Sequence, residues 1–236
     1  MATPTLVFIP GAWITRELYQ PFLNACSSAG YPIHYADYPS IDPADPTVAD
    51  CKTDTDVIRS TLHQLVEEEG KDVFLMMHSY AGMPGAAAAL GMAKSQRVKQ
   101  GKRGGVIGMV FIAAFLVPEG PTPNLNVPAD AIANFAADVD PALLTDLDEK
   151  IKPHATLAFT SPQPAPAWAE ESYQGRLAFI VTTGDPAVPK EAQYGMMAAT
   201  RQEWIVKEMD CSHCAPFITR IEETVRLVEE CVKHFQ

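Results

Sequence analysis

The 236-residue chain carries six short, strongly apolar or β-branched runs, and most of the intervals between them have helical periodicity. The runs are TLVFI (5–9), PIHYAD (32–37), DVFLMM (72–77), GMVFIAAF (108–115), LAFIVTT (177–183) and EWIVKEM (203–209). Runs this short and this continuous fit strands buried on both faces of a parallel sheet better than they fit helices. Between them, 53–69 sets Val57, Ile58, Leu62, Leu65 and Val66 on one stripe and stops at Gly70. Residues 216–235 repeat Ile218, Ile221, Val225, Val228, Val232 and Phe235 at helical spacing, which predicts a helix covering one face of the sheet. Strands alternating with helices imply an α/β architecture: a mostly parallel sheet of about six strands, right-handed crossovers and flanking helices. With 47% hydrophobic and 20% charged residues, the chain is expected to fold as a single domain over 1–236.

One interval breaks the alternation. Between Phe115 and Leu177 lie Pro118, Pro121, Pro123, Pro128, Pro141, Pro153, Pro162, Pro164 and Pro166, too many for a sheet interior. A segment of this length in a compact domain predicts a small cap over 118–175, inserted after the fourth strand.

Charge narrows the partners. A formal net charge of -11 repels nucleic acid and anionic lipid, and no basic cluster longer than VKQGKR interrupts it, so a small, uncharged or weakly polar substrate is expected. The start, MATPTLVFIP, lacks the charge and apolar length of a signal peptide, and no run reaches the roughly eighteen apolar residues of a membrane span. The expectation is a cytoplasmic protein with no membrane partner. Cys26, Cys51, Cys211, Cys214 and Cys231 are then free thiols. The CxxC spacing of Cys211 and Cys214 has no second pair to complete a zinc site, so no metal and no cofactor are expected. GKRGG reads as a turn.

In an open parallel sheet, ligands gather at the carboxyl ends of the strands. Past the first strand stand Pro10-Gly11-Ala12-Trp13, past the third His78-Ser79-Tyr80, past the fifth Gly184-Asp185, and past the sixth Asp210-Cys211-Ser212-His213. A serine hydroxyl needs a base to take its proton and a carboxylate to orient that base; Ser79, His213 and Asp185 supply the set, in the chain order of the α/β-hydrolases. Taken singly, Ser79 reads as a helix cap, His213 as a core histidine and Asp185 as a turn former. Their joint order carries the inference. Asp210 and Glu119 also lie near strand ends and compete for the acid role, while His78 reads as a structural neighbour of the turn.

The chain resembles the plant methylesterase and hydroxynitrile lyase branch of the α/β-hydrolases, with its fungal and bacterial relatives. LVFIPGAW is similar to that branch's opening strand and oxyanion loop, HSYAG to its nucleophile turn, MVFIAAFLVPEG to the strand before the cap, FIVTTGDPAVPK to the acid loop and EMDCSHCAPF to the histidine loop. The resemblance implies Ser79 as nucleophile, His213 as base, Asp185 as acid, and an oxyanion hole from the backbone N–H groups of Ala12 and Tyr80. The chain departs from it at Met77 and Ala81, where the family has glycine; Gly82, Gly85, Ala86 and Ala89 form a small-residue stripe that lets the helix approach regardless. Trp13, Tyr80, Phe135, Phe159 and Trp168 are candidates to line the acyl or alcohol pocket, or to form the cap's own core.

Three activities follow. The leading one is hydrolysis of a small carboxylic ester or lactone through an acyl-serine. A second is carbon-carbon cleavage of the hydroxynitrile-lyase kind, which Gly11 and Cys214 disfavour, since those lyases have threonine and lysine there. A third is ligand binding without catalysis. Substrate identity and oligomeric state, a homodimer among the options, are left open by the sequence.

Overall fold

The computed structural model describes residues 3–121, 131–144 and 150–236. Six strands, β1 (Thr5–Ile9), β2 (Ile33–Tyr35), β3 (Asp72–His78), β4 (Gly105–Ile112), β5 (Leu177–Thr182) and β6 (Ile205–Met209), form one sheet in the order β2-β1-β3-β4-β5-β6. Every pairing is parallel. The fourth strand lies three residues earlier than its apolar run suggests, because Ala113 adopts a φ of 46° and turns the chain out of the sheet.

Alternate strand residues feed two cores. Val7, Ile9, Leu75, Met77, Phe111 and Phe179 face one side; Leu6, Phe8, Phe74, Met76, Val110 and Ile180 face the other. The first side is covered by α2 (Cys51–His63), which continues through a π-helical turn (Gln64–Glu68), by α3 (Pro84–Ala88) and by α7 (Lys190–Thr200), whose Met197 joins this core, while α4 (Lys94–Lys99) lies against β4. A reciprocal pair of bonds between Asp50 and Thr53 fixes the start of α2. Val57 stands 43% exposed; the buried stripe runs through Asp54, Ile58, Leu62, Leu65 and Val66 instead, about 100° round the helix from it. The second side is covered by α1 (Arg16–Ser28) and the C-terminal helices. These are two, α8 (Ala215–Ile218) and α9 (Ile221–Phe235), because the amides of Thr219 and Arg220 both turn back to the Ala215 carbonyl. Val228, Val232 and Phe235 are buried as the spacing predicts, whereas Ile218, Ile221 and Val225 are only partly so.

Between β4 and β5 the described residues add no strand to the sheet. They form α5 (Ala131–Phe135), α6 (Thr156–Thr160) and short 3-10 turns. Residues 122–130, with Pro123 and Pro128, and 145–149 of the expected cap lie outside the described residues. Paired bonds between Gly120 and Gln163 close the base of this region. Its segment 150–155 is stitched to the loop after β1 (Lys152 N to Trp13 O, 2.7 Å) and to the loop after β2 (Ala155 N to Ser40 O, 2.9 Å). Among the described residues no helix is long and apolar enough to cross a membrane.

Candidate active site

The chain leaves β3 at His78 and turns into a 3-10 segment, Ser79–Gly82, with Ser79 at a φ of 53°. A left-handed serine is costly, and such strain persists only where the surroundings fix it. Here they do: Phe115 N donates to Ser79 O at 3.0 Å, and the turn passes so close to Phe115 that a Cβ at Gly82 would sit 2.2 Å from its carbonyl oxygen. Met77 finds its space from the helix side. A Cβ at Gly85 would come within 2.9 Å of the Met77 sulfur, so the small residue that lets strand and helix approach lies on α3.

Past β6, His213 is 1% exposed and its Nδ1 lies 2.6 Å from Asp185 Oδ2. Asp185 is buried and fixed at both oxygens. Its Oδ1 accepts from the amides of Ala187 and Val188, both at 2.9 Å, and its Oδ2 also accepts from Thr182 Oγ1 at 2.8 Å. Gln193 in turn grips the Thr182 backbone. The competing carboxylates are elsewhere: Asp210 and Glu119 are exposed, and Asp210 accepts from Thr183. The loop after β1 is clamped on both sides of one peptide group, the Pro10 carbonyl accepting from Tyr38 (3.0 Å) and the Gly11 amide donating to Tyr19 (3.0 Å). It lies against the serine, since a Cβ at Gly11 would be 3.1 Å from Ser79 Cβ.

Residues 6–227 match the sequence profile of the alpha/beta hydrolase family. The chain belongs to that family. Among curated relatives, this α/β hydrolase is 24% identical over 234 residues to the probable hydrolase R7 of a Phoma species, covering 91% of this chain and 92% of R7. It is 29% identical over 122 residues to the α/β hydrolase nvfD of Aspergillus novofumigatus, a match covering 51% of this chain and 46%, under half, of that relative. Among solved structures it is similar to the methylesterase MES16 of Arabidopsis (TM-score 0.75, 16% identity, 98% of this chain and 99% of that one). It is also similar to the pyrethroid hydrolase PytH (TM-score 0.70, 19% identity, 98% of each chain).

An arc of rings runs in this α/β hydrolase from His213 to Tyr80, the residue after Ser79. Phe135 lies 5.5 Å from His213, Trp13 stacks between Phe135 (5.7 Å) and Phe159 (5.3 Å), and Phe159 meets Tyr80 at 4.9 Å. Ser79 is 6% exposed. Trp168 makes no ring contact with the arc; it is buried in a 3-10 turn, its indole N–H without a partner.

Behind Tyr80 stands a polar network that the sequence reading missed. Asp54, fully buried, accepts from Tyr80 Oη (2.5 Å) and from the hydroxyl and amide of Ser40 (2.6 and 3.0 Å), and Ser40 Oγ lies 2.9 Å from His154 Nε2. Burial raises the Asp54 carboxyl to about 6 against the bonds from Ser40 and Tyr80, and burial lowers His154 to about 4. The available signal was a carboxylate on the buried face of an amphipathic helix. All five cysteines are free and buried, and burial pushes Cys211 to about 12 and Cys214 well above its ordinary value. Among the described residues no group of three or more His, Cys, Asp or Glu side chains could hold a metal ion.

Proposed function

We propose that the chain hydrolyses a small, uncharged carboxylic ester or lactone through an acyl-Ser79 intermediate. The observation that carries the reading is a serine held in the left-handed region at a strand-to-helix turn, in a fold that also buries a bonded His213–Asp185 pair at the ends of neighbouring strands. Ser79 Oγ attacks the carbonyl carbon while its proton passes to His213 Nε2; Asp185 keeps the proton on Nδ1 and stabilises the imidazolium. The carbonyl electron pair collects on oxygen, where the amides of Ala12 and Tyr80 would receive it. Collapse expels the alcohol oxygen, which takes the proton from His213. Water then repeats the sequence, releasing the acid and regenerating Ser79.

The aromatic arc and the formal charge of -11 favour an uncharged substrate. MES16 and polyneuridine aldehyde esterase, which share the fold, bear names that agree with ester cleavage. Carbon-carbon cleavage loses support at two positions. A Cβ at Gly11 would lie 2.8 Å from His78 Nδ1, which leaves no room for threonine, and Cys214 offers a buried thiol where a cation is needed.

The test is a fluorophosphonate on folded protein, followed by intact mass, with turnover of aryl and alkyl esters and lactones graded by size. One adduct, absent from Ser79→Ala, together with ester turnover lowered about 10⁴-fold by that substitution, is expected. No adduct and no turnover across the panel would instead favour ligand binding without catalysis.

A further inference from the structure

Two buried polar side chains beside the site have no part in the proposed proton transfers. Tyr19 and His78 are both 0% exposed, and their bonds connect the loop after β1 to the loop after β6. The Gly11 amide donates to Tyr19 Oη at 3.0 Å, Tyr19 Oη lies 2.8 Å from His78 Nδ1, and His78 Nε2 lies 3.2 Å from the His213 carbonyl oxygen.

Counting hydrogens gives this chain one direction. The His213 carbonyl can only accept, so the bond at Nε2 places the His78 proton there. A second proton on Nδ1 would leave the hydrogen of the fully buried Tyr19 hydroxyl without a partner, so Nδ1 is bare, the ring is neutral, and Tyr19, which accepts from Gly11, donates to it. Burial, and next the charge of His213, hold His78 well below its ordinary pKa, in agreement with a ring that stays neutral. Packing supports the same arrangement. The His78 ring lies 4.7 Å from the His213 ring, and Phe217 meets Tyr19 and His78 edge-on at 5.0 and 4.7 Å. Gly11 leaves the space for it, since any side chain there would collide with His78 Nδ1.

We infer that Tyr19 and His78 are positioning residues, holding the oxyanion loop and the backbone of the base in register through one directed hydrogen-bond chain. The inference rests on the serine-hydrolase reading for its effect on rate. Gly11 precedes Ala12, a proposed oxyanion donor, and His213 is the proposed base, so the chain fixes the distance between the two groups that must act on one substrate carbonyl. Misplacement by a fraction of an ångström at such a site costs rate more than binding.

Tyr19→Phe removes one oxygen and keeps the ring; His78→Leu removes both nitrogens; His78→Gln offers an amide oxygen and N–H in their place. Two readouts are taken on each: kcat and KM for an aryl ester, and nitrogen NMR of the histidine rings in the resting protein, which needs no turnover. The wild-type spectrum is expected to show His78 neutral with its proton on Nε2 from about pH 5 to 8, and Tyr19→Phe to lose that single tautomer. Tyr19→Phe and His78→Leu should each lower kcat about 10- to 100-fold with KM within about threefold, the double variant should fall no further, and His78→Gln should recover about tenfold over His78→Leu. Three results would overturn the inference: a wild-type His78 protonated on Nδ1, a Tyr19→Phe kcat within about twofold of wild type, or losses that multiply in the double variant. If His78→Leu does not fold, Tyr19→Phe and the spectrum still decide it. If the wild type turns over no ester, the hydrolase reading fails, and the tautomer alone decides whether the chain exists.

Discussion

Asp54 and His154 lie on opposite sides of Ser40 and are perturbed in opposite senses, which makes their joint effect on stability measurable. Burial raises Asp54 from its ordinary 3.8 to about 6, so its contribution to folding is fully present below about pH 4 and is lost as pH rises through about 6. Burial lowers His154 from 6.5 to about 4, so its contribution is present above about pH 6.5 and is lost as pH falls through about 4. At 1.36 kcal/mol per pKa unit each shift is worth about 3 kcal/mol, and across pH 4 to 6.5 the two slopes nearly cancel. Removing either group exposes the other. Asp54→Asn keeps an oxygen for the Ser40 amide, while the hydroxyls of Tyr80 and Ser40 can turn to accept from its NH₂. Urea unfolding at intervals from pH 4 to 7 should show Asp54→Asn gaining about 2 to 3 kcal/mol on wild type as pH rises, and His154→Gln losing a similar amount relative to wild type over the same range. Curves that stay parallel for all three proteins would refute the reasoning, because they would mean that neither group titrates differently in the folded chain.

Asp185→Asn should lower kcat about 10³- to 10⁴-fold: the amides of Ala187 and Val188 hold an oxygen at Oδ1, so the NH₂ faces His213 Nδ1 and forces the tautomer that cannot accept the Ser79 proton. Asp210→Asn and Glu119→Gln, both exposed, should stay within about tenfold of wild type on the same ester, and the opposite ranking in folded protein would move the acid. Gly82→Ala would set a methyl 2.2 Å from a backbone carbonyl oxygen; a loss of at least about 2 kcal/mol by urea unfolding is expected, with slower phosphonate labelling of Ser79. Trp13→Ala empties the middle of the three-ring stack, so kcat/KM should rise for bulky aryl esters relative to acetate esters; an equal fall across the series would show that the indole binds substrate rather than limiting its size.

The centre of the parallel sheet was legible because β1, β3, β4 and β5 are buried along nearly their whole length and so read as unbroken apolar runs, and Ser79, Asp185 and His213 drew notice because each stands within four residues of a strand's end. The network behind the site was not. Tyr19 and His78 are 59 positions apart, Asp54 and Tyr80 are 26 apart, and Ser40 and His154 are 114 apart, so nothing local in the chain announces these bonds. The Met77 departure shows the same limit from the other side. A glycine before the nucleophile is a requirement on the space between strand and helix, and that space has two walls. In this chain the strand keeps a large side chain and the helix gives way at Gly85, where a Cβ would also lie 2.7 Å from Ile9. The residue pattern of the turn therefore describes a combined volume, and reading it one position at a time mistakes a transferred glycine for a lost one.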